Sequence, residues 1–297
     1  MRKEQSMLRF LLDLIARQKK KLVSGTPRTS ILEQPERLPS DEIIASRFPL
    51  PQGSESSIAM WVTCQNLLKI AERWDHYREE EPLLMRQTGN QHVLSLLFTY
   101  MQIHSFLCQR GFQNKIDLML MFQCFYFHDW GEPLANGDVP DYDKTTKGNV
   151  EEYKAFSDFI DKMICDPAEA TQIKRAFLLQ YCIDQKTLER NPDRKLFPND
   201  AQVMMEELYV NHRLEALLFC FTEQLDYFYY VIFGYKVVGY KRALKSVCMF
   251  NASVLNRVLK EIPVLAEKFW TEEFQQQVTQ FLLEYPDLDP HPPKKED

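Results

Sequence analysis

Glycine is scarce in this chain: nine in 297 residues, less than half the roughly 7% of an ordinary globular protein. The turn signals that punctuate β-rich sequences are correspondingly few. Both shortages exclude a sandwich or barrel and predict an all-α protein. Long hydrophobic runs are missing too. The longest near-apolar stretch, Leu118–Phe127, falls far short of the ~20 residues that a membrane-spanning helix needs. No C-x-x-C pair occurs, and the seven cysteines are scattered, which reads as reduced core thiols of a cytoplasmic protein. Positive charge is in deficit, the formal net charge being −6. That balance argues against nucleic-acid polymers and anionic membranes, both of which select a basic field, and leaves a small anionic substrate open. The apolar part of the N-terminus, Met7–Ile15, is interrupted by Asp13, and no small-residue cleavage site follows, so no secretory leader is read there.

Four regions follow from composition. Residues 1–22 have Leu8, Leu11, Leu12 and Ile15 at helical spacing with Lys19–Lys21 at the end, an amphipathic helix whose cations suit the macrodipole. Residues 23–55 are Ser/Pro/Glu-rich and read as a linker or arm. Residues 56–285 carry one helical pattern after another, and 286–297 are proline-rich and charged, a disordered tail on composition. Within the third region the expected helices are Ser57–Trp74, Gln91–Gln109, Ile116–Phe127, Asn149–Ile164 (with Asn149 as N-cap) and Ala168–Cys182. Residues 184–200 read as a loop, Ala201–Phe233 as one long helix or two, and Tyr240–Ile262 and Val264–Leu283 close the domain.

One stretch stands apart. Ile116–Phe127 is apolar on every face, which predicts a helix buried all round, yet it runs directly into His128 and Asp129. Burying an imidazole beside a carboxylate costs several kcal/mol unless the two are paired or hold a cation. The chain then leaves through Gly131 and Gly137 with two further carboxylates, Glu132 and Asp138. A dry helix delivering His-Asp to an acidic loop is the pattern of a metal site. Lys144 and Lys147, just beyond the loop, are cations within reach of a phosphate.

The phrase F-H-D-W-G-E-x-x-x-x-G-D-V-P, from Phe127 to Pro140, followed by E-E-Y-K-A-F at Glu151–Phe156, resembles the HD-domain metal-dependent phosphohydrolases, in particular their 5′-deoxynucleotidase-like branch. The resemblance covers roughly residues 57–235 and is specific between 127 and 156. It implies a multi-helix HD-domain bundle behind a proline-rich N-terminal arm. It also implies a second ligand histidine opening the preceding long helix, where Gln91-His92 stands, while His104 in mid-helix reads as a core or supporting histidine. The family's downstream Asp ligand falls in Thr222-Glu223-Gln224-Leu225-Asp226. Direct alignment puts Glu223 there, a departure from Asp, and Asp226 one turn later is the alternative. Further upstream, Arg73-Trp74 and Pro82–Arg86 are similar to the branch's Arg-Trp and Pro-Leu-Met-Arg phrases, with altered spacing. By that resemblance Arg73 holds phosphate, Trp74 packs on sugar or base, and Arg86 is a further phosphate contact.

The implied metal set is His92, His128, Asp129 and Glu223 or Asp226. Two imidazoles and two carboxylates suit one divalent transition ion (Mn, Fe, Co, Ni or Zn) without choosing among them. Glu132 and Asp138 are then the acid–base candidates. The expected activity is removal of phosphate from a (deoxy)nucleoside 5′-monophosphate. Two alternatives stand beside it: hydrolysis of a nucleoside triphosphate or alarmone on the same fold, and an HD-like binding or dimerisation module that has lost its metal. The aromatic run Tyr227–Tyr240 suits either an interface, where aromatics are enriched, or burial under the N-terminal and last helices; the resemblance, to phosphohydrolases that are often dimers, implies a homodimer with part of this run at the contact.

Overall fold

A computed structural model of the protein describes residues 72–73 (main chain), 87–135 and 145–290. All of them fall within one of the chain's two compact units, Gly53–Asp297. The expected N-terminal helix and arm, and residues 291–297, lie outside the described residues. What is described is helical almost throughout, in agreement with the all-α expectation. The helices are α1 (Gly89–Gln109), α2 (Leu118–Phe127), the single turn α3 (Gly131–Leu134), α4 (Thr146–Met163), α5 (Pro167–Leu178), α6 (Asn199–Asn211), α7 (Arg213–Val238), α8 (Arg242–Glu261) and α9 (Glu272–Glu284). No described helix is long and apolar enough to cross a membrane.

Several expectations are corrected. The helix read over Ser57–Trp74 does not extend to its end, because Glu72–Arg73 (β1) pairs antiparallel with Gln87–Thr88 (β2). The N-cap of α4 is Thr145, whose side chain accepts from Gly148 N, so the helix starts three residues before Asn149. The stretch 201–233, left open between one helix and two, is two, broken at His212. Beyond Ile262 the chain first makes a 3-10 turn, Pro263–Glu267, and only then forms α9. Nor is α2 buried all round: Leu118 and Met119 are exposed, Met119 by 61%. Hydrophobicity on every face marked a helix touching the core from several sides, but its first two residues project outward.

Helix α7 is the axis of the domain, packed against α1, α2, α6 and α8. From Ala216 to Asp226 every residue is buried, so this half of α7 has no solvent face and needs none of the polar alternation of a surface helix. Aromatic side chains carry much of the core. Phe125 of α2 stacks on Phe219 of α7 with centroids 5.4 Å apart, and Phe156 of α4 stacks on Phe177 of α5 at 4.1 Å. The end of α7 is set by Gly239, which adopts a left-handed φ of 84°, the conformation glycine accepts without steric cost. Lys245 of α8, itself buried, donates to the carbonyls of Tyr285 (2.6 Å) and Pro286 (2.8 Å), which anchors the chain where α9 ends.

Candidate metal centre

Local sequence rules bring four elements to one place. Thr88 and Gln91 form a reciprocal capping box: Gln91 N donates to Thr88 Oγ1 (3.3 Å) and Thr88 N to Gln91 Oε1 (2.9 Å). That box starts α1 and puts His92 in its first turn, fully buried. Asp117 caps α2 by accepting from Leu120 N (3.0 Å), while its own N–H donates to Glu215 of α7 (2.7 Å). Ten residues later α2 ends, delivering His128 and Asp129 into the interior, where both are buried. The glycine of the H-D-W-G phrase is a packing requirement. A Cβ on Gly131 would stand 3.0 Å from the Glu152 carbonyl and 3.0 Å from Phe177 Cζ, so only glycine lets α3 close on α4 and α5. The fourth element is α7, with Glu223 and Asp226.

Three of these side chains form a ligand-like group. One donor atom from each of His92, His128 and Glu223 lies within 4.8 Å of the other two. Asp129 sits between the imidazoles, its Oδ1 3.0 Å from His128 Nε2 and its Oδ2 3.8 Å from His92 Nε2. The outer nitrogens face other groups. His128 Nδ1 is 2.9 Å from the Phe125 carbonyl; a carbonyl only accepts, so Nδ1 carries a proton, and a ring with that single proton turns its Nε2 lone pair inward. His92 Nδ1 lies 3.2 Å from Asp226 Oδ2. With both Nδ1 atoms directed outward, two nitrogen lone pairs and a carboxylate converge on one buried space. Such a gathering of acceptors is repulsive until a cation or proton enters it.

Glu223 and Asp226, which the sequence left as alternatives, differ in their surroundings. Asp226 is gripped from α1: Ser95 Oγ donates to Oδ1 (2.5 Å) and Thr99 Oγ1 to the same oxygen (3.3 Å). Its other oxygen backs His92. Glu223 belongs to the group of donor atoms and accepts from Tyr227 OH (3.3 Å) and Gln185 Nε2 (3.3 Å). A chain of amides continues behind it, with Gln224 Nε2 3.5 Å from Gln185 Oε1 and Asn251 Nδ2 donating to Gln224 Oε1 (2.5 Å).

Sequence reading missed Tyr227 and Gln185. Tyr227 lies flat on His92, ring planes 5° apart and centroids 5.6 Å apart, and reaches Glu223 one turn back along α7. Its i, i+4 spacing from Glu223 was a signal. Gln185 had none: its loop is closed by the bridge between Ile183 and Arg190 and tied to α7 where Arg213 Nη1 donates to the Leu188 carbonyl (2.9 Å).

Three buried thiols lie behind the cluster. Cys124 and Cys220 are held well above the usual thiol range, first by burial and then by the Glu223 carboxylate, and burial pushes Cys182 to about 12. No cysteine sulfur belongs to the group of converging donor atoms among the described residues, so nitrogen and oxygen donors define the site. All described cysteines are free.

The remaining expected residues are placed as follows. Glu132 is buried in α3, its backbone N–H donating to the Asp129 carbonyl (3.3 Å). His104 is half-buried near Cys108, away from the cluster. Lys147 is exposed on the first turn of α4, 3.7 Å from Glu151. Arg73 lies in β1, which pairs with β2, the strand that leads into α1. Trp74, Arg86, Asp138 and Lys144 lie outside the described residues. Compared with known proteins, the chain matches no family profile, no curated sequence and no solved structure.

Proposed function

We propose that this chain is a metal-dependent phosphohydrolase of HD type, removing phosphate from a nucleotide, with a (deoxy)nucleoside 5′-monophosphate as the preferred substrate class. One observation carries the reading: His92, His128 and Glu223 present donor atoms within 4.8 Å of one another, with Asp129 between the two imidazoles. Two nitrogens and two carboxylates fit a divalent ion of the Mn-to-Zn series. His92, His128, Asp129 and Glu223 would hold it. Asp226 would orient His92, as carboxylates commonly do behind a ligand imidazole.

When bound, such an ion supplies Lewis acidity toward a phosphate oxygen. The chain's own residues do the rest. Glu132, buried in the turn that follows the ligands, takes or gives the proton exchanged between water and the leaving alcohol, and Asp138 shares that task or holds the sugar. The Tyr227 hydroxyl, beside Glu223, fixes that carboxylate. Arg73 supports the phosphate through a charge-assisted contact, with Arg86, Lys144 and Lys147 as further cations and Trp74 against the base or sugar. Free thiols suit the reducing cytoplasm.

The test is metal analysis of the purified full chain, followed by a nucleotide panel read by phosphate release. Stoichiometric metal with monophosphate turnover is the expected result. Turnover of triphosphates or alarmones alone would move the substrate class. A metal-free, inactive protein that stays so after incubation with each candidate ion would leave a binding module.

A further inference from the structure

The carboxylate of Glu223 ends a one-way chain of side-chain amides. Asn251 Nδ2, on α8, donates to Gln224 Oε1 (2.5 Å). Gln224 Nε2 in turn lies 3.5 Å from both Gln185 Oε1 and Glu223 Oε2. Gln185 Nε2 then donates to the same Glu223 oxygen (3.3 Å). Both glutamines accept from the amide behind them and give their N–H to the group ahead. Such a chain closes on an acceptor, and a carboxylate is one. The other oxygen, Oε1, accepts from Tyr227 OH (3.3 Å), so both oxygens of Glu223 are held. Gln224 and Asn251 are buried, and Asn251 shares the inward side of α8 with Val247, Cys248, Val254 and Leu255. Apolar side chains could fill that space without the desolvation cost of amides, which points to a role beyond packing.

We propose that Gln185, Gln224 and Asn251 are positioning residues that aim Glu223 at the metal. They let a glutamate serve where the resemblance implies the shorter aspartate. The extra methylene gives Glu223 one more rotatable bond to immobilise, and donors on both of its oxygens supply that restraint. Ligating carboxylates are oriented by hydrogen bonds of this kind. The chain also ties the ligand to α8 and to the loop that carries Gln185, neither of which holds a ligand itself. Metal affinity therefore depends on Asn251, a residue with no contact to any donor atom of the site. The inference rests on the metal reading of that site.

Cobalt titration of the full, metal-depleted chain, followed by absorption, tests it. Q185A removes the last donor. N251D replaces the first donor by an acceptor, so Gln224 must turn its N–H toward α8 and its carbonyl toward Gln185, which reverses the chain. Each variant, with parental circular dichroism, should bind cobalt about 10- to 100-fold more weakly than the parent, the scale for groups that orient a ligand. A negative charge added near the site would by itself tighten cation binding, so weaker binding by N251D isolates the reversal. N251S, which shortens the link without adding charge, serves if N251D fails to fold and should act in the same direction. S246A, a buried polar truncation on the same helix, should bind as the parent does. Parental affinity in Q185A or in the Asn251 variant would overturn the proposal, as would an equal loss in S246A. A parent that binds no cobalt would defeat the metal reading itself. The chain is then read in the metal-free protein, where N251D should shift the side-chain amide NMR signals of Gln185, and unshifted signals would overturn it.

Discussion

Helices α1 and α4 are of similar length and both bury a largely apolar face in the core, yet their outer faces are opposite in kind. On α4 the buried positions are Val150, Tyr153, Phe156 and Ile160 together with Glu152, and the exposed ones (Lys147, Glu151, Lys154, Asp158, Asp161 and Lys162) are all charged. On α1 the first four turns bring His92, half-buried Ser95 and Thr99 inward among apolar side chains and send Leu94, Phe98 and Met101 outward. The α4 pattern is what hydrophobic burial and solvation produce without further demands. Buried polar side chains and exposed apolar ones on the same helix each cost stability, and they mark where the chain does something besides fold.

The sharpest test of that contrast is to truncate one inner residue on each helix. H92A should leave a folded protein that has lost its metal and its phosphatase activity, as should H128A or chelation of the parent. F156A on α4 should instead cost about 3–5 kcal/mol of stability, the range for removing a buried aromatic ring, as read by denaturant unfolding. Metal content should stay intact in the fraction that remains folded. If H92A retained stoichiometric metal, the inner face of α1 would be structural like that of α4.

A second comparison sets the turn α3 against its neighbours. E132Q should keep metal and fold while lowering kcat by about 10²-fold, the scale of a general acid–base group. Unchanged kcat would remove Glu132 from the reaction, and loss of metal would make it a ligand.

The two carboxylates of α7 separate next. E223Q should lose metal outright, whereas D226N should retain it with affinity weakened about 10- to 100-fold, the usual effect of removing an orienting carboxylate. Metal titration followed by a cobalt absorption spectrum reads both, and the reverse pattern would exchange their roles. The smallest effect belongs to the outside of α4. K154A should change stability by no more than about 0.5 kcal/mol, the ordinary result for a solvated surface residue, and leave turnover alone.

Much of the architecture was legible in the residues. Periodicity placed the starts of α1 and α2 at Gln91 and Ile116, within two residues of Gly89 and Leu118, where the Thr88–Gln91 box and the Asp117 cap set them locally. The interruption of an apolar stretch by His128-Asp129 was visible for the same reason: a buried polar pair stands out against its sequence neighbours. Other features needed partners distant in the chain. Glu223 and Asp226 lie three residues apart on one helix, so spacing cannot separate them. They are told apart by Ser95 and Thr99, about 130 residues earlier. Gln185 comes to Glu223 through a loop whose composition says only that it is polar.

The sequence by itself determined a helical protein, since few glycines and repeated 3.6-residue periodicity permit little else, and it determined which residue types could bind a cation. Tertiary structure alone decided which of them share one buried space and which apolar side chains remain outside. Leu94 and Leu96 are the same residue type two positions apart, yet Leu94 is exposed and Leu96 is buried. Periodicity states that a helix has two faces, but which face meets the core is set by where α7 and α2 pack, and that depends on contacts among residues scattered along the chain.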